Sequence, residues 1–152
     1  MRPAACRALA GLVLILLAPA LLGASAGGQV PRGEYVLIVH GSNPITTIDR
    51  RLVSDLFLKR RAVWADGRPV VPVDQSERSP ARERFSEEVH GKSTMAIRSF
   101  WQQQIFSGRG TPPVQKPSDR AVADLVAATP GAIGYVAPEA VRAGVRVVPV
   151  SR

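Results

Sequence analysis

The densest grouping of anion-binding residue types in the sequence is Arg78-Ser79-Pro80-Ala81-Arg82. Serine at a cap position with proline at the first helical position is the signature of a helix start. First-turn N–H groups of a helix are unpaired, and its dipole adds positive potential at the same end, so an anion can rest there. Ser79 adds a hydroxyl, and Arg78 and Arg82 add planar, two-pronged donors. Ser42 and Asn43 follow an apolar run and sit at the C-terminal end of a predicted strand, where α/β sheets usually bind ligands. The plainer readings stand beside these: Ser79 as a cap only, Ser42 and Asn43 as turn residues, and Arg78 and Arg82 paired with Glu77, Glu83, Glu87 or Glu88. An anion site here requires Arg82 to be free, so a protein carboxylate beside it would remove the site.

Other chemistry is thinner. Catalysis needs a nucleophile with a base, paired carboxylates or a metal site. His40 and His90 stand far apart without a cluster of ligating residues, and Ser42 lies too close to His40 in sequence to form a triad. No enzyme, metal or cofactor is expected. Trp64 and Trp101 have neighbours at core spacing and read as core residues.

The elements that must position these residues alternate between strand and helix. Tyr35–Val39 reads as a strand buried on both faces, as in a parallel sheet. Asp49 caps a helix with Leu52, Val53, Leu56 and Phe57 inward. Asp66-Gly67 marks a turn, and Val70–Val73 is the next strand, placed at a sheet edge because Pro72 has no N–H for a ladder. Ser79 opens a helix that runs to His90 and stops at Gly91. Ser93 opens another, lined by Ile97, Phe100, Trp101 and Ile105 and ended by Gly108. Residues 108–117 read as a long loop. Ser118 or Asp119 caps a helix with Val122, Leu125 and Val126 inward, and Ile133–Val136 and Val145–Val150 are closing strands around a helical turn near Glu139. Strands separated by helices predict an α/β, three-layer sandwich with a mixed, mostly parallel sheet.

The first 26 residues are set apart. Arg2 and Arg7, the apolar stretch Leu9–Leu22 and the exit Ala24-Ser25-Ala26 form the three parts of a secretory signal, with a cut expected after Ala26. The apolar stretch, interrupted by Pro19, is shorter than the roughly 20 residues a membrane span needs. Residues 27–33 read as a flexible lead-in and 34–152 as one domain. Cys6 falls in the leader, so the mature chain has no disulfide and relies on a packed core. Without Arg2 and Arg7, 18 basic residues face 12 acidic ones, a surplus of +6 that favours anionic partners. Export to the periplasm makes nucleic acid an unsuitable partner.

Several segments together resemble the phosphate ABC transporter substrate-binding protein family. These are Val39–Pro44, the run Leu56-Phe57-Leu58-Lys59 ahead of Trp64 and Asp66-Gly67, the stretch Ser76–Phe85, Phe100-Trp101, Pro112-Pro113 and Pro130-Gly131-Ala132-Ile133-Gly134-Tyr135-Val136. The resemblance covers Val36–Val136. It implies one lobe of a type II periplasmic binding protein, with Ser76–Phe85 in the place of the anion loop, so Ser76 joins Ser42, Asn43, Arg78, Ser79 and Arg82 as a ligand-binding candidate. Of the family's Ser-Gly-Thr, only the serine remains, in Ser79-Pro80-Ala81, and Gln75 stands near where a loop arginine is expected.

Two functions follow as expectations. One is weak binding of phosphate or a similar oxyanion, linked to uptake or sensing. A few charge-assisted hydrogen bonds of about 1.5–3 kcal/mol each, set against about 4–15 kcal/mol of association cost, leave millimolar binding, about −4 kcal/mol. The other is a ligand-free interaction module that docks onto a membrane protein, such as a transporter or sensor component, or onto another envelope component, through Arg50-Arg51 and Lys59-Arg60-Arg61.

Overall fold

A computed structural model of the chain describes residues 34–151. The leader, its cut site and the lead-in lie outside the described residues. In chain order the elements are β1 (Val36–His40), β2 (Ile48–Asp49), α1 (Arg50–Phe57), β3 (Val71–Gln75), α2 (Pro80–Phe85, continued by a π-turn over Ser86–His90), α3 (Thr94–Phe106), β4 (Val114–Lys116), α4 (Asp119–Ala128), β5 (Ala132–Val136), β6 (Val145–Val147) and β7 (Val150–Ser151). A short 3-10 turn spans Pro138–Ala140.

The main sheet has the order β4-β3-β5-β1-β6, and β2 and β7 form a small parallel pair. Apolar residues alternate across β1 and β5 and bury both faces. Leu37, Val39, Ile133 and Tyr135 meet α1 and α2 through Val53, Leu56, Phe57 and Phe85. Ile38, Ala132 and Val136 meet α4 through Val122, Ala123 and Val126. Helices therefore cover both faces of a mixed sheet, the three-layer α/β arrangement that alternating strands and helices predict. Close helix packing over β5 depends on Gly134, where a Cβ would come within 2.7 Å of Val122 Cγ1.

The caps follow the sequence. Asp49 accepts from the Arg51 and Leu52 N–H groups, Ser79 from Arg82, Ser93 from Ala96 and Ser118 from Ala121. Gly91 ends the second helix at φ 63°.

Three features depart from the expected layout. β1 runs antiparallel to both neighbours, with Val36 opposite Val136 and Val39 opposite Ile133. An apolar run of β-branched residues signals burial on both faces and carries no information about direction. Pro72 lies in β3, an interior strand, rather than at an edge. The Val71 N–H donates to Gly131 O on the β5 side, so the Pro72 nitrogen faces β4, whose pairing begins only at Val73 opposite Val114. No ladder bond is lost there. Finally, the polar segment 108–117 contains β4, three residues held parallel to β3 by Val73, Asp74 and Gln75. Its apolar content is too small to announce a strand.

Candidate functional site

The C-terminal ends of β3, β4 and β5 point the same way, and the starts of α2 and α4 lie beside them, as ligand-binding edges of α/β sheets do. Residues from β3 and α2 build the centre of this edge. Asp74 and Gln75 end β3 in buried positions, and one turn into α2 the Arg82 side chain turns back over them, only 3 % exposed.

Arg82 Nη1 lies 2.9 Å from Asp74 Oδ2 and donates to the Gln75 carbonyl oxygen at 2.5 Å. Asp74 Oδ1 accepts from the Tyr135 hydroxyl and, at 2.8 Å, from the Gln75 N–H. The Gln75 side chain is fully used. Its Nε2 donates to Asp119 Oδ1 (2.7 Å) and to Tyr135 O (2.9 Å), and its Oε1 accepts from Ser79 Oγ (2.5 Å). Asp119 Oδ1 also accepts from the Ala137 N–H at 2.9 Å. The Tyr135 ring stacks on Phe85 at 4.0 Å, which fixes the phenol over Asp74.

Burial pushes the Asp74 carboxyl above its usual range, against the pull of the Arg82 guanidinium and the Tyr135 hydroxyl. Burial, with Asp74 beside it, pushes the Tyr135 phenol up, so that it acts as a neutral donor. The edge therefore holds two carboxylates, Asp74 and Asp119, against one buried arginine. The first turn of α2 is capped by Ser79, and that of α4 by Ser118 with Asp119 inside it. Asp74 meets the Arg82 guanidinium, the Ser79 hydroxyl caps α2, and Asp119 sits in the first turn of α4.

This arrangement sorts the expected ligand residues. Ser76, Arg78, Ser79 and Arg82 do share one edge. Arg82 does not face an open crevice: its charge is met by Asp74, and the Ser79 hydroxyl is directed at Gln75. Arg78 is exposed and has no ion-pair partner among the described residues. Ser42 and Asn43 lie elsewhere. Because β1 is antiparallel, its C-terminal end sits beside the start of β5, at the edge of the sheet opposite Ser76 and Ser79. Ser42 Oγ hydrogen-bonds His40 Nδ1 at 2.8 Å, and Asn43 Oδ1 accepts from the Ile45 N–H, as turn residues do. His90 is half-buried against Phe85, with Nδ1 2.9 Å from Ser54 Oγ, and its loss of solvent, with Arg82 and Arg60 nearby, pushes it down to about 4. Trp64 and Trp101 are buried, as their spacing predicts.

Sequence reasoning missed Asp74, Asp119 and Tyr135. A signal existed for Asp74: an acid ending an otherwise apolar strand needs a partner when buried. Among the described residues no cluster of three or more His, Cys, Asp or Glu stands in position to hold a metal ion, and no helix is long and apolar enough to cross a membrane.

No protein-family model matches the chain, and neither does any curated protein. Solved structures do match. A candidate phosphate ABC transporter substrate-binding protein from Clostridium perfringens, determined with bound phosphate, is similar at a TM-score of 0.61 and 22 % identity over 76 % of this chain and 44 % of that one. An ABC-type phosphate transport receptor from Vibrio cholerae is similar at 0.61 and 15 % identity, over 76 % and 45 %. PstS from Borrelia burgdorferi is similar at 0.54 and 15 % identity, over 77 % and 47 %. The chain thus shares the fold of the phosphate ABC transporter substrate-binding proteins and spans less than half the length of those it matches.

Proposed function

We propose that this chain is an exported, solute-binding-like module that has kept the lobe fold, holds no oxyanion tightly, and works by docking onto a membrane transporter or sensor component. The observation that carries this reading is the Asp74–Arg82 pair at 2.9 Å, which sets a carboxylate of the protein against the buried guanidinium at this edge. An oxyanion entering there would displace Asp74 from Arg82 and meet Asp119 as well, and like charges at such range repel. Weak phosphate binding, the other expectation, is left to Arg78 and Ser76 at the rim, where water screens each contact.

Docking is supported by cations that have no ion-pair partner among the described residues. Arg50 and Arg51 are exposed in the first turn of α1, at the positive end of its dipole, where a cation is unfavourable by about 0.3–1 kcal/mol. Together with Asp49, Ser54 and Val89 they line an open groove of about 760 Å³. Within the other basic stretch, Arg60 pairs with Asp55 and Lys59 donates to Pro112 O.

Calorimetry with phosphate and sulfate at low salt tests the first half: no heat is expected at millimolar ligand, and a dissociation constant below 0.1 mM, roughly −5.5 kcal/mol, would overturn it. For the second half, the double change Arg50→Glu and Arg51→Glu should abolish co-purification with an envelope membrane protein while the circular dichroism stays that of the folded chain. Unchanged co-purification would remove the docking reading.

A further inference from the structure

At the sheet edge opposite Asp74 and Arg82, a cavity of about 250 Å³ opens between α1, the loop after β1 and the segment leading to β3. Its walls are apolar: Pro44, Ile45, Leu52, Leu56, Val63 and Trp64. They are also held in place. The Trp64 indole donates to Gly131 O at 2.9 Å and the Trp64 N–H to Arg68 O at 2.9 Å. The Arg146 guanidinium donates to the carbonyls of Asn43 and Ile45, which fixes the facing loop. The cavity is therefore preformed, as small-molecule sites usually are.

Two polar features break the apolar lining. Arg61 lines the cavity, is exposed, and has no ion-pair partner among the described residues. The nearby acid, Asp66, is taken by Arg68 at 2.7 Å. Asn43, a wall residue only 3 % exposed, spends its Oδ1 on the Ile45 N–H and leaves Nδ2 buried with no partner among the described residues. A buried amide donor without an acceptor is uncommon in a native structure, and a carboxylate in the cavity would meet this one only after the Asn43 side chain turns.

From this juxtaposition of a rigid apolar cavity, an unpaired arginine at its mouth and an orphan amide in its wall, we propose a binding site for a small amphipathic monocarboxylate. The tail fills the space between Leu56 and Trp64, and the carboxylate meets Arg61. Size sets the class. A cavity of about 150 Å³ accepts benzene, so this one takes a single ring with a short chain, or an alkyl chain of about six to eight carbons. Inorganic phosphate lacks the apolar part and gains nothing from these walls. The site is independent of the docking reading and of the Asp74 edge.

The test is a titration of the purified protein with 3-phenylpropionate and with octanoate, followed by 1H–15N NMR at the Trp64 indole and the backbone amides of Asn43, Ile45 and Arg61. Saturable shifts confined to these signals are expected, with 3-phenylpropanol binding about tenfold more weakly, since one charge-assisted hydrogen bond is at stake. Arg61→Gln should weaken the carboxylate by a similar factor and leave the alcohol unaffected. Asn43→Asp keeps the Oδ1 acceptor for Ile45, adds a negative charge and should weaken the carboxylate further. Phosphate at the same concentration should move none of these signals. No saturable shift at 10 mM carboxylate, equal binding of acid and alcohol, or unchanged affinity in Arg61→Gln would each overturn the proposal. Equal binding would indicate a socket for a partner's apolar side chain.

Discussion

Asp74→Asn is the change that most directly probes the ligand edge. It is close to isosteric and keeps an Oδ1 acceptor for the Tyr135 hydroxyl and the Gln75 N–H, yet it removes the charge opposite Arg82. Arginine cannot shed its proton, so a guanidinium 3 % exposed is left uncompensated, with its Nε already without a partner. Breaking one side of a buried pair costs about 3–5 kcal/mol. If Asp74 stands where a bound anion would otherwise sit, an added anion should recover part of that loss. At 100 mM sulfate and a dissociation constant of about 1 mM, the recovery is roughly 2.7 kcal/mol. Urea unfolding with sulfate, or with chloride at matched ionic strength, measures both quantities. The difference between variant and wild type cancels the general stabilisation that sulfate gives by exclusion from protein surfaces. The expected result is a variant weakened in chloride and selectively rescued by sulfate, with a wild type that shows only the general effect. A variant within 1 kcal/mol of wild type, or equal sulfate responses in the two, would refute the view that Asp74 fills an anion position.

Other perturbations test separate parts of the fold. His90 is pushed from 6.5 down to about 4, so the unfolded chain binds more protons; stability present above pH 6.5 should fall by about 2 kcal/mol between pH 7 and pH 5, and His90→Gln should remove that acid limb in urea melts at the two pH values. Gly131→Ala places a Cβ 2.3 Å from Pro69 O at φ +88°, and should cost at least about 2–3 kcal/mol in the same melts, loosening the Trp64 anchor with a red-shifted emission. Ser79→Ala removes both the cap on Arg82 N and the donor to Gln75, costing about 1–2 kcal/mol by thermal unfolding, with no change in the response to phosphate.

The fold was largely legible because burial leaves a periodic trace. β1 and β5 are read from runs such as Leu37-Ile38-Val39, and the helices from their serine and aspartate caps. What escaped has a common cause: the missing information lies between segments. The direction of β1 depends on which strands it joins, and those are nearly 100 residues away at β5 and more than 100 at β6. β4 is a strand only because β3 offers it a ladder. The candidate site suffered most. Ser79 and Arg82 are visible as types, yet their availability depends on Asp74, a few residues upstream, and on Tyr135 and Asp119, which chain proximity does not connect to them. Asn43 follows β1, and because β1 is antiparallel to β5 it lies at the opposite edge of the sheet from Ser76 and Ser79.

The polar network at the ligand edge and the packing beneath it are one construction. Tyr135 belongs to the fully buried strand β5, and its ring stacks on Phe85, with Phe57 tilted against both, while its hydroxyl reaches Asp74. Arg82 and Phe85 lie three residues apart on α2, so the helix that delivers the aromatic face also delivers the guanidinium. Gln75 then ties β3, β5, α2 and α4 through three side-chain hydrogen bonds and one carbonyl. An anion site needs donors held ready and unpaired, which weakens the fold that holds them; here the same donors close onto carboxylates and join four elements. Closed in this way, the donors of β3 and α2 stabilise the junction of β3, β5, α2 and α4.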